Sequence, residues 1–351
     1  MDPFPSPYPT LLGDDPALQT ALDTAVGEAL TEFPELGRFR PAISFVAVDE
    51  TPDGLDFRHA GLRYGDSYYT ASLAKVGALY AAYELLKSVN AVAGEAATPQ
   101  ELFARLRGEF DPVIDAAVPA IAEAGLTRAQ RLPKYEQVFA ALSAGGPLRC
   151  AFQPAFQDNL NKMIVKGNNE AASACIQLLG YSWINGALHA GGFYFPPART
   201  GIWLAGTFTG ALPAVRIPSV NDGMVAQAST CFDMANLYAH IVRRTLVDAE
   251  SSNLMHALLA TSAFVGDDPS YLDFTRRPAL PVRDFGISDS KIGHGPLKTG
   301  TQVNSEGAVV EVSDPTQQFV VVFQDSLDNL SSLSALGYVV DRTIKLSRSG
   351  P

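Results

Sequence analysis

Strand patterning confined to the two ends of this chain is the feature that most limits its fold. Ala42–Val48 is rich in β-forming residues, Thr51-Pro52-Asp53-Gly54 is turn chemistry, and Leu55–Leu62 reads as the return strand of a hairpin. Strand character comes back only late, at Gly293–Gln302, Ala308–Val312 and Phe319–Gln324. The run Val320-Val321-Val322-Phe323 is apolar without alternation, as a central strand covered on both faces would be. Between these ends the pattern is helical. Ser72 to about Lys87 carries an apolar stripe of Leu73, Val76, Leu79, Tyr80, Tyr83 and Leu86. Thr98-Pro99 and Asp111-Pro112 each have the form of a helix start, and Gln157–Val165 and Asn169–Leu179 give two more helices. Helices also flank the strands at both termini. Asp14-Asp15-Pro16 opens one, with Leu18, Leu22, Val26 and Leu30 at helical spacing, and Leu330–Leu346 closes the chain as another.

The expected fold class is therefore α/β, of the α+β kind: an antiparallel sheet from both chain ends, flanked by terminal helices, plus a central helical lobe. The boundaries predicted are a discontinuous lobe over 1–68 and 280–351 and a mostly helical lobe over 69–279. Within the second, Phe193–Met224 carries eight prolines and glycines between Pro196 and Gly223. A segment that long without helical pattern is often functional, and a cleft between the lobes is the natural binding site.

Composition removes several classes of function. Apolar residues make up 47% of the 351 and charged residues 18%, the balance of a globular chain. No apolar run reaches the length of a membrane span. A net charge of −11 with no basic cluster argues against nucleic acid as a partner. Met1-Asp2-Pro3-Phe4-Pro5 has neither the basic nor the apolar part of a secretory leader, so the expected compartment is the cytoplasm unless a leader was removed before residue 1. Cys150, Cys175 and Cys231 lack zinc spacing and are expected as buried free thiols, one disulfide being the alternative. His59, His189, His240, His256 and His294 show no metal spacing, so no metal or organic cofactor is expected.

Chemistry concentrates in three places. Ser72-Leu73-Ala74-Lys75 opens a helix, and residues three apart share a helix face, so the Lys75 amine can reach the Ser72 hydroxyl. The helix N-terminus adds partial positive charge where an oxyanion would form. A second S-x-x-K, Ser288-Asp289-Ser290-Lys291, opens no amphipathic helix and is read as chance. Lys298-Thr299-Gly300-Thr301 falls in the first late strand; an ammonium and hydroxyls there offer donors to a carboxylate, and Gly300 lets a substrate approach the strand edge. Gly167-Asn168-Asn169, followed by small residues on a helix, lies between the two. Asn169 is either a site amide or a helix N-cap.

In this order the three motifs resemble those of the serine penicillin-binding protein and β-lactamase superfamily, S-x-x-K, S-D-N and K-T-G. The resemblance covers the catalytic skeleton and is weakest from Val89 to Ala155. It implies a serine hydrolase acting through a Ser72 acyl-enzyme, with Lys75 as base and Asn169 and Lys298 in the site. It also implies Lys298, Thr299 and Thr301 holding a carbonyl or carboxylate, Gly300 giving access, and the Ser72 and Thr301 backbone amides as oxyanion donors. The expected partner is a small molecule or peptide with such groups. Two departures matter. Gly167 stands where the family usually has a proton-relaying serine, and no Glu occurs from Ala171 to Ala249, where class A β-lactamases carry the glutamate that activates water. These favour an esterase- or peptidase-like enzyme over an efficient β-lactamase. The alternative is a binder of peptide or lactam without turnover. A Ser-His-Asp hydrolase would need a G-x-S-x-G elbow, which is absent. Phe193, Tyr194, Phe195, Trp203, Leu204 and Phe208 either wall an acyl pocket or simply pack their loop.

Overall fold

The structure, a computed structural model of the chain, describes residues 1–38, 41–143, 145–266, 270–272, 284–313, 316–325 and 330–348. In chain order it opens with β1 (Gly13–Asp14), α1 (Pro16–Glu32), β2 (Ala42–Thr51), β3 (Gly54–Leu62) and β4 (Tyr68–Tyr69). A 3₁₀ turn, Ala71–Ala74, leads into α2 (Lys75–Ala93), followed by α3 (Pro99–Ala116). Three single-turn helices, α4 (Pro119–Ala122), α5 (Arg128–Arg131) and α6 (Tyr135–Val138), precede the ribbon β5 (Phe139–Leu142) and β6 (Arg149–Phe152). Then come α7 (Pro154–Val165), α8 (Asn169–Leu179) and α9 (Tyr181–Ala190). Six short strands follow: β7 (Tyr194–Phe195), β8 (Thr200–Gly201), β9 (Trp203–Leu204), β10 (Ile217–Ser219), β11 (Gly223–Val225) and β12 (Gln227–Ser229). The chain finishes with α10 (Cys231–Val242), α11 (Ala249–Val265), β13 (Gly286–Pro296), β14 (Gln302–Ser313), β15 (Thr316–Asp325) and α12 (Leu330–Arg348).

The two ends do build one sheet. Its order is β1-β3-β2-β15-β14-β13, antiparallel except for the parallel β1–β3 pair. The seam between the ends is β2 against β15, in register Phe45↔Val321 and Val46↔Val320. Alternation along these strands sends side chains to opposite faces. Phe45, Ala47, Phe319, Val321 and Phe323 pack with α1 and α12. Val46, Val48, Val309, Val320 and Val322 join the larger core around α2. The central helix α2 is buried on nearly all sides, and the 3₁₀ turn before it, Ala71–Ala74, packs against the edge strand β13.

Two sequence expectations are corrected. Asp111-Pro112 starts no helix. Pro112 lies inside α3, whose buried stripe Leu102, Leu106, Phe110, Ile114 runs through it. Asp111, instead of capping, is buried and accepts the Tyr135 hydroxyl at 3.0 Å. The first late strand is also displaced: it spans Gly286–Pro296, not Gly293–Gln302. Leu297–Thr301 forms the turn into β14, closed by Leu297 N–H to Thr301 O (2.8 Å) and Gly300 N–H to Leu297 O (2.9 Å), with Gly300 at φ +88°. A positive φ costs glycine little, so the triplet that reads as strand is well suited to turn. The three cysteines are free and buried. Among the described residues no helix is long and apolar enough to cross a membrane.

Candidate active site

The first wall of the site is built from the start of α2. Tyr68–Tyr69 pairs with β12 (Tyr69↔Ala228), which aims the chain at the sheet edge. Ala71 then takes φ +46°, a left-handed conformation that costs a non-glycine residue about 1–2 kcal/mol. Strain of this kind persists where the surroundings impose it, and it collects at functional sites. Here Leu73 and Ala74 are fully buried, and the Thr70 carbonyl accepts both Leu73 N–H (3.2 Å) and the Ser305 hydroxyl (2.7 Å). Ser72, between the strained residue and the buried pair, is left only half-buried at the N-terminal end of α2.

Lys75 is the first residue of α2 and has no exposed surface. Its Nζ donates to Gly167 O at 2.6 Å and Asn169 Oδ1 at 2.9 Å. Gly167 takes φ +62°, which turns its carbonyl toward the amine. The neighbouring asparagines divide their work. Asn168 is the N-cap of α8, accepting Ala171 N–H at 2.7 Å, and Asn169 faces Lys75. The geometry thus joins Lys75, Gly167 and Asn169, one helical turn from Ser72.

The Phe208 ring also lies over Lys75, its centroid 4.6 Å from Nζ. Its position follows from how the loop is held. Asn185 takes both backbone groups of Leu204 (2.9 and 2.8 Å), and Ser173 Oγ accepts Thr209 N–H at 3.1 Å. Phe193, Tyr194, Trp203 and Leu204 are buried in the α2 core, so they pack the loop down; Phe195 is exposed.

The second wall is β13, and here the structure departs from the sequence reading. The segment against the Ser72 turn is Lys291-Ile292-Gly293-His294-Gly295, not Lys298–Thr301. A Cβ on Gly293 would stand 2.2 Å from Thr70 O and 2.8 Å from Leu73 N, so only glycine permits this approach. Lys291 is buried and, two residues away, shares the face of Gly293; Ile292 points to the opposite core. His294 is exposed and bonds Asn304 Oδ1 through Nδ1 at 2.9 Å. Lys298 lies in the turn beyond β13. Its N–H donates to Asp222 Oδ1 (2.9 Å) and its Nζ to the carbonyls of Asp222 (3.1 Å) and Met224 (3.2 Å). Thr299 and Gly300 are exposed in the same turn, and the Thr301 carbonyl serves to close it. The second S-x-x-K lies within β13, where Ser288 Oγ donates to Asp289 and to Val309 O. The sequence signal missed was two glycines in alternation, Gly293 and Gly295, two and four residues after Lys291.

Among the described residues no group of three or more His, Cys, Asp or Glu is arranged to hold a metal ion. His256 pairs with Asp289 (2.6 Å), and that hydrogen bond pushes the imidazole above its ordinary value.

Comparison with known proteins shows that the fold is shared. The chain is similar in fold to a beta-lactamase from Sphaerobacter thermophilus, with 17% identity, TM-score 0.53, and 95% of this chain and 98% of that one covered. A beta-lactamase from Xanthomonas campestris matches at 15% identity and TM-score 0.52, over 94% and 98%. PBP-A matches at 14% identity and TM-score 0.51, over 97% and 99%. No curated protein sequence matches. The signature of the beta-lactamase enzyme family matches residues 112–340. That span takes in Gly167, Asn169 and β13 and starts after Ser72. With about two thirds of its length matched, the chain belongs to the beta-lactamase enzyme family.

Proposed function

We propose that the protein is an acyl-transfer hydrolase that opens an amide, ester or lactam through a Ser72 acyl-enzyme and releases the acyl group slowly. The observation that carries this reading is the Lys75 amine, buried one turn from Ser72 and held by Gly167 O and Asn169 Oδ1. In the first step Lys75, as the free amine, takes the Ser72 proton while Oγ attacks the carbonyl carbon. The oxyanion that forms is received by backbone N–H groups, at Ser72 on the helix side and at His294 on β13 in place of Thr301. Lys291 takes the role first expected of Lys298, presenting its ammonium to the substrate carbonyl or carboxylate. Asn169 holds Lys75 in line and offers its amide to the substrate.

The second half-reaction is the weak one. Water attack on an acyl-enzyme needs a base beside the ester, and the loop places the Phe208 ring over Lys75 with no Glu between Ala171 and Ala249. Acylation by an amide or lactam is slowed as well, because Gly167 has no hydroxyl to pass a proton to the leaving amine. An activated ester asks for less help, since its leaving group departs as a stable anion. The same two features favour a second reading, a lactam- or peptide-binding protein that is acylated without useful turnover.

The test is kinetic. With a short-chain nitrophenyl ester, a burst of one equivalent followed by slow steady turnover is expected. With benzylpenicillin, a covalent adduct lasting minutes is expected. Penicillin turnover at about 10² per second or faster would contradict the slow step, and a burst-free, adduct-free protein would contradict acylation altogether.

A further inference from the structure

The hairpin β10–β11 makes two sets of contacts that no catalytic role accounts for. On one side it holds the chain that leads to Ser72. Val220 N–H donates to Ser67 O at 2.8 Å, and Asn221 Oδ1 accepts Tyr69 N–H at 2.8 Å while its Nδ2 reaches Tyr69 O at 3.4 Å. Asn221 therefore serves Tyr69 as a neighbouring strand would, through one side chain. On the other side, Asp222 Oδ1 takes the Lys298 N–H, and the carbonyls of Asp222 and Met224 take its ammonium. The hairpin is itself pinned, with Asp222 N–H on Ser219 Oγ at 3.1 Å and Gly223 at φ +71°. Adjacent residues thus connect the segment before Ser72 to the outer end of β13. Burial and the Asp222 charge together raise the Tyr69 hydroxyl above its usual value, and that hydroxyl lies 3.2 Å from where a Gly295 Cβ would be.

The Ser72 turn and β13 are tied at two points. The inner tie is the Gly293 contact with Thr70, reinforced by Ser305 Oγ on Thr70 O at 2.7 Å. Beyond Gly293 the β13–β14 ladder continues to Pro296↔Gln302, so the two strands form one hairpin arm that carries His294; with the inner tie alone, the outer end of that arm would not be held to the segment before Ser72. The outer tie is the hairpin. We infer that Asn221 and Asp222 form a crossbar that fixes the spacing between the Ser72 turn and the outer end of β13, with Lys298 as its anchor, and that they are positioning residues for acylation. Two oxyanion donors carried on separate elements work only at a fixed separation, and a misplacement of about 1 Å can cost about 10²-fold in rate. The inference rests on the proposed acylation of Ser72.

The experiment compares Asn221→Ala, Asp222→Ala, Asp222→Asn and Lys298→Met with the unmodified protein. Acylation rates are measured per titrated active site with nitrophenyl acetate, which has no carboxylate, and with benzylpenicillin, which has one. Backbone hydrogen exchange is followed at Tyr69 and Lys298. Both alanine variants should slow acylation by about 10-fold or more, equally for the two substrates and with little change in half-saturation. Lys298→Met should slow both substrates equally too. Asp222→Asn keeps an acceptor for the Lys298 N–H and should recover most of the rate. Exchange should rise at Tyr69 as well as at Lys298 in Asp222→Ala. A loss confined to benzylpenicillin in Lys298→Met would make that lysine a substrate ligand and overturn the crossbar, as would unchanged rates in the alanine variants. Should the unmodified protein form no adduct, the acylation reading fails, and exchange still decides the crossbar: a rise at Lys298 alone overturns the mechanical link, and a rise at both sites supports it.

Discussion

The two walls of the proposed site were built by different rules. The helical wall brings together Ser72, Lys75, Gly167 and Asn169 through local geometry: a turn of helix, a glycine at φ +62°, and two asparagines of which one caps and one faces the amine. The strand wall depends on register. Lys291-Ile292-Gly293 and Lys298-Thr299-Gly300 lie in the same hairpin, and only the first is in the strand. Spacing along a helix decides which residues meet, whereas the two-residue period of a strand leaves open which stretch of sequence becomes the strand. A wall specified locally can be found from a motif; a wall specified by pairing needs the partner strand.

The contrast can be broken at its strongest point by Lys75→Arg. The guanidinium stays charged and cannot act as a base near neutrality, so acylation should fall by about 10²–10⁴-fold, the usual worth of general-base catalysis. Stopped-flow ester bursts measure it, and near-normal rates would remove Lys75 from the chemistry. A smaller difference is expected on the strand wall. Lys291→Ala should cut the acylation efficiency of a carboxylate-bearing substrate by about 10- to 100-fold through loss of a buried charged contact, about 1.5–3 kcal/mol. Lys298→Ala should cost less, and should cost neutral and anionic substrates alike. The reverse order would restore the K-T-G turn as the binding motif.

The smallest effect concerns what lies behind the strand wall. Glu306 on β14 is buried and accepts the Ser270 and Ser290 hydroxyls (2.5 and 2.6 Å) and the Tyr271 N–H (2.8 Å). Burial pushes its carboxyl above the usual carboxylate value, the hydrogen bonds opposing this in part. A folded value above the unfolded one means that the stabilising contribution is complete below the ordinary carboxylate range. It is lost as pH rises through the folded value. Glu306→Gln, whose amide can donate to the two serines, should flatten that dependence and raise Tm at pH 8 by about 2–4 °C. An equal shift at pH 4 and pH 8, read by thermal melts, would show that ionisation of Glu306 is not the cause.

Legibility in the sequence followed the same division. The sheet formed from both ends was readable because Ala42–Leu62 and Phe319–Gln324 carry strong strand and turn chemistry, and α1 because Asp15 and Pro16 mark its start. Pro112 misled because a proline inside a helix looks like a proline at its start, and only the buried stripe on both sides of it distinguishes the two. In the sequence Asn169 suits cap and site equally, since both uses fit asparagine; in the fold Asn168 takes the cap and Asn169 faces Lys75. Phe208 could not be placed over Lys75 from sequence, since its position depends on Ser173 and Asn185 holding the loop from other helices.

The most direct measurement is the site of covalent labelling. The protein is treated with a fluorophosphonate, digested, and the modified peptide mapped, beside Ser72→Ala and Ser288→Ala. A single adduct on Ser72, lost in Ser72→Ala and kept in Ser288→Ala, is the predicted result. An adduct on Ser288, or labelling that survives Ser72→Ala, would contradict the assignment of the helical wall as the reacting one.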